Sequence, residues 1–423
     1  MLRILFLSLL PALTALAAPY GIALPPNSEN LHEGASSARV FPTWETLQPE
    51  AEEWNYAPAD KLVAVAEKNN IRLIGSLHQL APWATDDEEP DDFPLENKDA
   101  WRNFTANLFS RYGEKISHWD ILDSYNLLPR QAATPYHYVE LLTIARENAR
   151  RINPDIRTGF VLANFDLEFL DSAIRDGAAG NFDYISLSPY PCNKETAHHF
   201  QTLLPTLRAL LKSHGIDPLP IHITLTGETQ DLAAIAPLAI AAGYEQVFLK
   251  CDPTFLKAIP AEPSKTPPSI SYSDADSVSI TLGEKNQSKG LVQLIPSSTA
   301  WDPETKANRL RVTAYPPEFR TSFVTDPTFL NPENREIEIT VTAKRIESED
   351  GLLNPTGITL TYEAVHGIRN ADLWWSVPGD NQWHTHTWNL TDASFKAKLG
   401  WNFILDASGA GNDVLIKEIK VNR

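Results

Sequence analysis

The sequence predicts a (β/α)8 TIM barrel followed by an all-β sandwich of the jelly-roll type. Up to residue 257, eight apolar strand-like runs alternate with helical patterns, which is the order expected of a barrel. From residue 270 onward, short strands are separated by Gly, Pro and Asn turns, as in sandwich folds. The chain has 423 residues, which is enough for two domains that each bury a core.

The first 17 residues have the pattern of an export signal. Arg3 precedes the apolar run 4–13, and Ala15-Leu16-Ala17, with small residues at its first and third positions, offers a cleavage site. The apolar run is too short to cross a bilayer as a stable helix. We therefore expect an exported protein, secreted or periplasmic, that begins near Ala18 and does not span a membrane.

The predicted barrel occupies residues 18–257. Thr134 is a helix N-cap before a proline, and Gly113 can end the preceding helix. No glycine-rich phosphate loop follows the first strand, which favours a closed barrel over a doubly wound open sheet. The predicted strands are Tyr20–Leu24, Ala38–Phe41, Ile71–Leu77, Ile116–Leu122, Arg157–Leu162, Asp183–Leu187, Pro220–Leu225 and Gln246–Lys250, and the predicted helices are Pro58–Asn69, Asp99–Tyr112 and Thr134–Ile152.

A linker and a sandwich are expected after the barrel. Residues 258–269 hold four prolines and few apolar side chains, a composition typical of linkers. In the sandwich, residues 270–423, the stretch IEITVTAKR alternates apolar and polar residues as a half-buried strand does. The predicted strands are Ser277–Leu282, Gly290–Ile295, Arg309–Ala314, Ile337–Arg345, Ile358–Ala364, Trp383–Leu390, Trp401–Ala407 and Val414–Val421.

Composition argues against several classes of function. The net charge is −18 and the Lys and Arg residues form no cluster, so nucleic-acid binding is not expected. The two cysteines, Cys192 and Cys251, either form one bridge or remain free thiols, and they cannot build a Cys-rich zinc site. His78 is too isolated to propose as a metal ligand. We therefore expect no metal and no cofactor.

Several passages in the N-terminal half resemble one family of enzymes. In chain order they are ARVFPTWETLQPEAEEWNYAPADKLVAVAEKNNIRLIGSL, LAPWA, WRNFTANLFSRYGEKISHWDIL, TPYHYVELLTIARENARRINPD and FDYISLSPYP. Together they resemble the retaining glycoside hydrolases of clan A, and the resemblance runs through most of residues 20–255. The C-terminal stretch WHTHTWNLTDASFKAKLGWNFILDA resembles, more loosely, the accessory β-sandwich domains that follow some exported polysaccharide-acting barrels.

The resemblance places two unsuitable residues at the catalytic positions. In this family, strand 4 typically ends Trp-Glu-x-x-Asn-Glu-Pro-Asn, and strand 7 ends with an apolar residue followed by Thr-Glu-x-Gly. The corresponding stretches, WDILDSYN and ITLTGE, put Ser124 at the acid/base and Leu225 at the nucleophile. The reaction needs two carboxyl groups, about 5 Å apart for retention or about 6.5–9.5 Å for inversion. Serine is too weak an acid and leucine has no nucleophile, so the ordinary mechanism is not expected.

Three other carboxylates could substitute in a divergent hydrolase. Asp123 precedes the acid position and should point to a different side unless the strand tip is bulged. Asp120 lies deeper in the strand, and Glu228 lies three residues past the nucleophile position, in a loop. The alternative interpretation is that the two aspartates form hydrogen bonds within the barrel rim and that Glu228 caps the next helix.

A carbohydrate-binding cleft could persist without the catalytic pair. Aromatic rings at strand ends can stack on sugars, and amides or imidazoles can bind hydroxyls; each of these residues can equally serve in packing. In the sandwich, Trp374, Trp375 and Trp383 are candidates for either a sugar platform or the core. The candidate substrate-binding residues of the barrel are Arg39, Trp44, His78, Trp83, Tyr125, Asn126 and Tyr190.

These observations leave three hypotheses for function. The first is an exported, glycoside hydrolase-like protein that binds a poly- or oligosaccharide without hydrolysing it. The second is an active hydrolase that uses two of the relocated carboxylates Asp120, Asp123 and Glu228. The third is a scaffold in which Trp44, Trp83 and Tyr190 pack against one another and fill the barrel mouth.

Overall fold

The computed structural model describes residues 20–28, 31, 35–85, 95, 97–128, 133–260, 270–295, 301–312, 319–329, 336–346, 354–371 and 374–423. The expected export signal and most of the expected linker lie outside these residues. The proposed domain boundaries therefore stay predictions.

Eight parallel strands close into a barrel, which confirms the predicted fold. They are β1 (Tyr20–Ala23), β2 (Ser37–Arg39), β3 (Arg72–Ser76), β4 (His118–Ile121), β5 (Arg157–Leu162), β6 (Tyr184–Pro191), β7 (Ile221–Thr226) and β8 (Gln246–Lys250). Each strand pairs with the next, and β8 pairs with β1 through Leu249 and Ile22. The strands are buried along most of their length, as expected where helices cover the outside of a parallel sheet.

Helices surround the barrel, and their ends follow the local sequence. They are α1 (Trp44–Leu47), α2 (Ala57–Lys68), α3 (Lys98–Tyr112), α4 (Pro135–Ile152), α5 (Leu167–Ala173), α6 (His199–Ser213) and α7 (Thr229–Ala242). The Thr134 side chain accepts a hydrogen bond from the His137 N–H, so this residue caps α4 as predicted. Gly113 follows α3, and its N–H donates to the Phe109 carbonyl. The apolar residues Trp101, Phe104, Leu108 and Tyr112, which helical spacing places on one face of α3, are all buried.

The C-terminal region is built from antiparallel strands, as predicted. They are β9 (Ser277–Thr281), β10 (Gln287–Lys289), β11 (Leu291–Ile295), β12 (Trp301–Asp302), β13 (Ala307–Leu310), β14 (Arg320–Thr325), β15 (Ile337–Arg345), β16 (Gly357–Ala364), β17 (Gly367–Asn370), β18 (Trp375–Ser376), β19 (His384–Leu390), β20 (Phe403–Asp406) and β21 (Val414–Asn422).

These strands form two sheets that enclose a second core. In one sheet, β21 pairs with β9 and β13 along one edge and with β15 along the other, and β15 also pairs with β19. The other sheet runs β11-β14-β20-β16-β17. Apolar residues of both sheets, such as Val341, Leu360 and Ile416, belong to one buried cluster. The alternation predicted for β15 is confirmed, because Ile337, Ile339, Val341 and Ala343 are its buried apolar residues.

The sandwich rests on the face of the barrel where the parallel strands end. Glu168, just after β5, accepts hydrogen bonds from Arg320 Nη2 (2.8 Å) and Trp401 Nε1 (3.1 Å). Glu195, just after β6, accepts from Tyr272 OH (2.5 Å) and from the Gly290 N–H (2.9 Å). The start of α5 and the segment after β6 therefore contact the second domain.

Three further findings concern features raised by the sequence. Cys192 and Cys251 are both free thiols. Within the described residues, no helix is long and apolar enough to cross a bilayer. The same part of the chain holds no group of three or more His, Cys, Asp or Glu side chains arranged around a metal-sized site.

Candidate functional site

The end of β4 is bent by two residues with left-handed backbone angles. Leu122 has φ 56° and Ser124 has φ 64°, a region that non-glycine residues seldom adopt. Asp123 lies between them, and its N–H donates to the Leu77 carbonyl at 2.7 Å. The distortion turns the Asp123 side chain towards the barrel axis, where Arg39 binds it. Backbone strain of this kind is often found at functional sites.

Arg39 joins two aspartates in a buried group that we call the Arg39 cluster: Arg39, Asp120 and Asp123. Arg39 Nε donates to Asp120 Oδ2 at 2.5 Å, and Arg39 Nη1 donates to Asp123 Oδ2 at 2.8 Å. The exposed fractions of the three side chains are 3%, 0% and 4%. A buried charge of this kind is tolerated only when it is paired and hydrogen-bonded. All three charges therefore depend on one another.

Neighbouring hydroxyl groups add hydrogen bonds to the cluster. Tyr184 OH donates to Asp120 Oδ1 at 2.7 Å, and Ser186 Oγ donates to Asp120 Oδ2 at 2.9 Å. Arg39 Nη1 also donates to Ser188 Oγ at 3.1 Å. Both oxygens of Asp120 thus accept hydrogen bonds from the protein, so this carboxylate stabilises the barrel interior and is not open to a ligand.

The surroundings of Asp123 favour its ionised form. Burial acts to raise the pKa of Asp123, but the Arg39 guanidinium, His78 and the hydrogen bond from Arg39 outweigh it and hold that pKa below its ordinary value. The His78 imidazole lies 3.9 Å from Asp123 Oδ2. Burial lowers the pKa of His78 despite the opposing attraction of Asp123. Near neutral pH the aspartate is therefore ionised and the imidazole is neutral.

The two residues predicted to stand at catalytic positions, Ser124 and Leu225, have side chains that serve the fold. Ser124 is half-buried, and its Oγ donates to Asp123 Oδ1 at 3.1 Å. Leu225 is fully buried in β7, where it pairs with Tyr190 on β6 and with Leu249 on β8. Neither position presents a carboxyl group to the barrel mouth.

Glu228 is apart from the Arg39 cluster. It is exposed at the N-cap position of α7, and its side chain makes no capping hydrogen bond. Glu228 therefore occupies the cap position of α7, where its carbonyl accepts from the Leu232 N–H at 3.0 Å, but its carboxylate does not take part in the cap. Its role as a catalytic carboxylate is left as a prediction.

Most of the predicted substrate-binding residues have structural partners. Trp44 is 1% exposed and stacks on Phe104, with ring centres 4.7 Å apart. Tyr190 is also 1% exposed, and its hydroxyl lies 2.9 Å from His199 Nδ1. Tyr125 is buried as well. None of these rings leaves a free face for a sugar.

Asn126 and Trp83 each connect two loops through hydrogen bonds. Asn126 Oδ1 accepts from the Ala163 N–H at 2.8 Å, and its Nδ2 donates to the Ala163 carbonyl at 3.1 Å. Trp83 Nε1 donates to the Gln48 carbonyl at 2.7 Å, but its ring remains half-buried. His78 is also half-buried. Of the seven candidates, His78 and Trp83 thus retain the accessible surface that a ligand needs.

The inner layer of the barrel contains polar residues that the sequence analysis did not select. Tyr184, Ser186 and Ser188 alternate along β6, and His222 lies beside Tyr184 with ring centres 4.6 Å apart. Burial lowers the pKa of His222 to about 3, against the attraction of Asp120. The signal was available in the sequence, because polar residues two apart on a barrel strand share the inward face.

The tryptophans proposed as a sandwich platform differ in environment. Trp374 is 39% exposed. Trp375 is half-buried and stacks on His386 at 5.2 Å. Trp383 is half-buried, with Lys417 Nζ 5.6 Å from the ring centre. The three rings therefore do not share one environment.

One family profile matches part of the chain. Residues 42–131 match the profile described as glycosyl hydrolase family 10. The matched segment is about a fifth of the chain and contains β3 and β4. A comparison with curated proteins gives no match.

Several solved structures are similar in architecture. A family 39 glycoside hydrolase from Bacteroides cellulosilyticus WH2 is 11% identical, with 92% of this chain and 81% of that chain covered and a TM-score of 0.47. A glucosidase from Croceicoccus marinus is 13% identical, with 92% and 90% covered and a TM-score of 0.40. Xylanase 10B from Thermotoga maritima is 15% identical, with 55% and 82% covered and a TM-score of 0.41. Because these sequence identities and TM-scores are low, the assignment of the fold rests on the strand pairing of the barrel itself.

Proposed function

We propose that this protein binds a poly- or oligosaccharide and does not hydrolyse it. The observation that carries the proposal is the chemistry of two strand ends, where Ser124 and Leu225 stand at the positions that the resemblance assigns to catalytic glutamates. A glycosidase needs a carboxyl pair across the glycosidic bond. Loss of a general acid alone reduces the rate by about 10²–10⁴-fold.

The remaining carboxylates are poorly suited to take over the reaction. A general acid in a glycosidase requires a raised pKa, whereas Arg39 and its neighbours hold the pKa of Asp123 below its ordinary value. Asp120 is fully buried and already bound by Arg39, Tyr184 and Ser186. Glu228 is exposed, and its side chain makes no hydrogen bond to the helix that it precedes.

Binding is supported by what the barrel mouth retains. His78 and Trp83 lie in loops after β3, inside the segment that matches the family 10 profile. A half-buried indole can pack on a sugar ring, and a neutral imidazole can exchange hydrogen bonds with hydroxyl groups. The net charge of −18 disfavours polyanionic glycans. We therefore propose a neutral polysaccharide as ligand and, from residues 1–17, export from the cytoplasm.

The scaffold hypothesis receives only partial support. Trp44 and Trp83 are in edge-to-face contact, with ring centres 5.7 Å apart. Tyr190, by contrast, packs against Phe200 of α6 at 5.4 Å. The three aromatic side chains therefore do not form the single plug that the hypothesis requires.

The test combines binding and turnover on the same preparation. The purified protein is incubated with xylan, mannan and β-glucan, and retention and released reducing ends are both measured. We expect retention on at least one neutral polysaccharide, with no release above a heat-denatured control. Release of reducing ends that disappears in Asp123→Asn or Glu228→Gln would instead establish the divergent hydrolase. Absence of retention on every polysaccharide would refute the proposal.

A further inference from the structure

A groove on the sandwich lies between two sheet edges. Its walls come from β17 with the end of β16 and from β19 with the residues that follow it. Within the described chain, β17 pairs only with β16 and β19 pairs only with β15, so both are edge strands. The cavity volume is about 580 Å³, inside the range of about 300–1,000 Å³ typical of ligand sites.

Aromatic residues form one part of the groove. The His386 ring stacks on Trp375 at 5.2 Å with a 14° angle between planes, and it meets Trp388 edge-on at 4.5 Å. Trp388 is 4% exposed, and its Nε1 is a buried donor with no hydrogen-bond partner. The rings of His386 and Trp388 therefore give the groove an aromatic wall on this side.

The polar side chains of the groove are fixed by contacts with one another. Arg369 Nη1 and Asp392 Oδ2 form an ion pair at 2.7 Å, and Tyr362 OH donates to Asp392 Oδ1 at 2.7 Å. Thr361 Oγ1 donates to Asn370 Oδ1 at 2.7 Å, which leaves the Asn370 NH₂ group as a donor. Arg369 is 52% exposed and keeps further N–H groups that point to solvent or ligand.

This chemistry selects the class of ligand. The charge of Arg369 is neutralised by Asp392, so the groove offers no free cation for a uronic acid or sulfate. The lining mixes aromatic rings with amide, hydroxyl and guanidinium groups, which suits a molecule whose hydroxyls both donate and accept. We propose that the groove binds a neutral oligosaccharide segment, as a second site in addition to the barrel mouth. This inference rests on the proposed carbohydrate binding and locates part of it in the sandwich.

The test compares groove, mouth and control variants of the full chain. Affinity electrophoresis in gels with soluble xylan, mannan or β-glucan gives the dissociation constant for each variant. The groove variants are Asn370→Ala and the double variant Arg369→Met with Asp392→Asn, and the mouth variant is His78→Ala with Trp83→Ala. Asn422→Ala on β21 is the matched control, because Asn422 is a half-exposed amide outside the groove. Thermal unfolding of each variant verifies that it is folded.

The expected outcomes separate the two proposals. Asn370→Ala should weaken binding about fivefold, and the double groove variant should weaken it at least about tenfold, with Asn422→Ala unchanged. Folded groove variants that bind like the wild type, while the mouth variant loses affinity, would overturn the groove and leave the proposed function intact. Binding of an extended peptide that is unchanged in both groove variants would also overturn it. A peptide that adds as a strand to β17 or β19 binds through backbone hydrogen bonds, which the side-chain substitutions leave intact. If the wild type binds none of the polysaccharides, both proposals fail.

Discussion

At the scale of single residues, the Arg39 cluster combines three charges in the interior of the barrel. One guanidinium serves two carboxylates, and the hydroxyls of Tyr184 and Ser186 supply further hydrogen bonds. Removal of one member of a buried ionic group leaves the others without compensation. Each member of the cluster therefore depends on the other two, and substitution of any one of them destabilises the group.

We expect Arg39→Met to lower the free energy of unfolding by about 3–5 kcal/mol, because two buried carboxylates lose their counter-ion. Urea unfolding followed by fluorescence measures the change. Arg102→Met is the matched control, since Arg102 is 45% exposed and pairs with an exposed Glu147; its loss should amount to about 1 kcal/mol or less. Equal effects of the two substitutions would show that the buried pairing is unimportant.

The identity of the site residues was more predictable than their orientation. Arg39, Asp120 and Asp123 were selected from the sequence, and the structure brings all three together. The direction of Asp123 depends on the left-handed angles at Leu122 and Ser124. Neither leucine nor serine signals such an angle, which glycine or asparagine usually marks. The inward turn of Asp123 therefore could not be read from residue types alone.

At the scale of secondary structure, the strands of the barrel were the easiest elements to predict. The predicted bounds of β5 and β8 coincide with the observed ones, because each is a compact run of residues that are mostly buried on both faces. Strand β14 (Arg320–Thr325) was not among the predicted strands. Its sequence RTSFVT is rich in Ser and Thr and is flanked by prolines, so it lacks a clear apolar pattern.

Close approach of neighbouring strands gives a prediction at this scale. A Cβ added to Gly75 on β3 would lie 2.4 Å from the Trp119 ring on β4. Trp119 cannot move easily, since its Nε1 donates to the Ile116 carbonyl at 2.8 Å and its ring contacts Phe41. We expect Gly75→Ala to destabilise the protein by about 1–3 kcal/mol through overpacking, measured by urea unfolding.

Gly283→Ala provides the comparison for this substitution. The nearest atom to an added Cβ at Gly283 is 3.7 Å away, which is ordinary van der Waals contact. The change in unfolding free energy there should stay within about 0.5 kcal/mol. If Gly75→Ala left the free energy of unfolding unchanged, β3 and β4 would be able to move apart without loss of stability.

At the scale of the whole molecule, two glutamates connect the barrel to the sandwich. Glu195 is 7% exposed and accepts from both Tyr272 OH and the Gly290 N–H. We expect Glu195→Ala to lower the free energy of unfolding by about 1–3 kcal/mol, because a buried backbone donor loses its acceptor. Calorimetry should show the barrel and sandwich transitions moving apart in temperature. Glu67→Ala, which removes an exposed ion pair with Lys115, should leave the transitions unchanged; the same separation in both variants would rule out a specific domain contact.

The groove on the sandwich has a consequence for how the protein is produced. Asn389 lies in its wall and begins the triplet Asn389-Leu390-Thr391, the acceptor pattern for N-linked glycosylation. A yeast or insect-cell host that modifies this asparagine would attach a bulky glycan beside the place where we expect the ligand. Bacterial expression leaves the asparagine bare. The choice of expression host therefore decides whether a binding assay meets an open groove or one already occupied by the protein's own sugar.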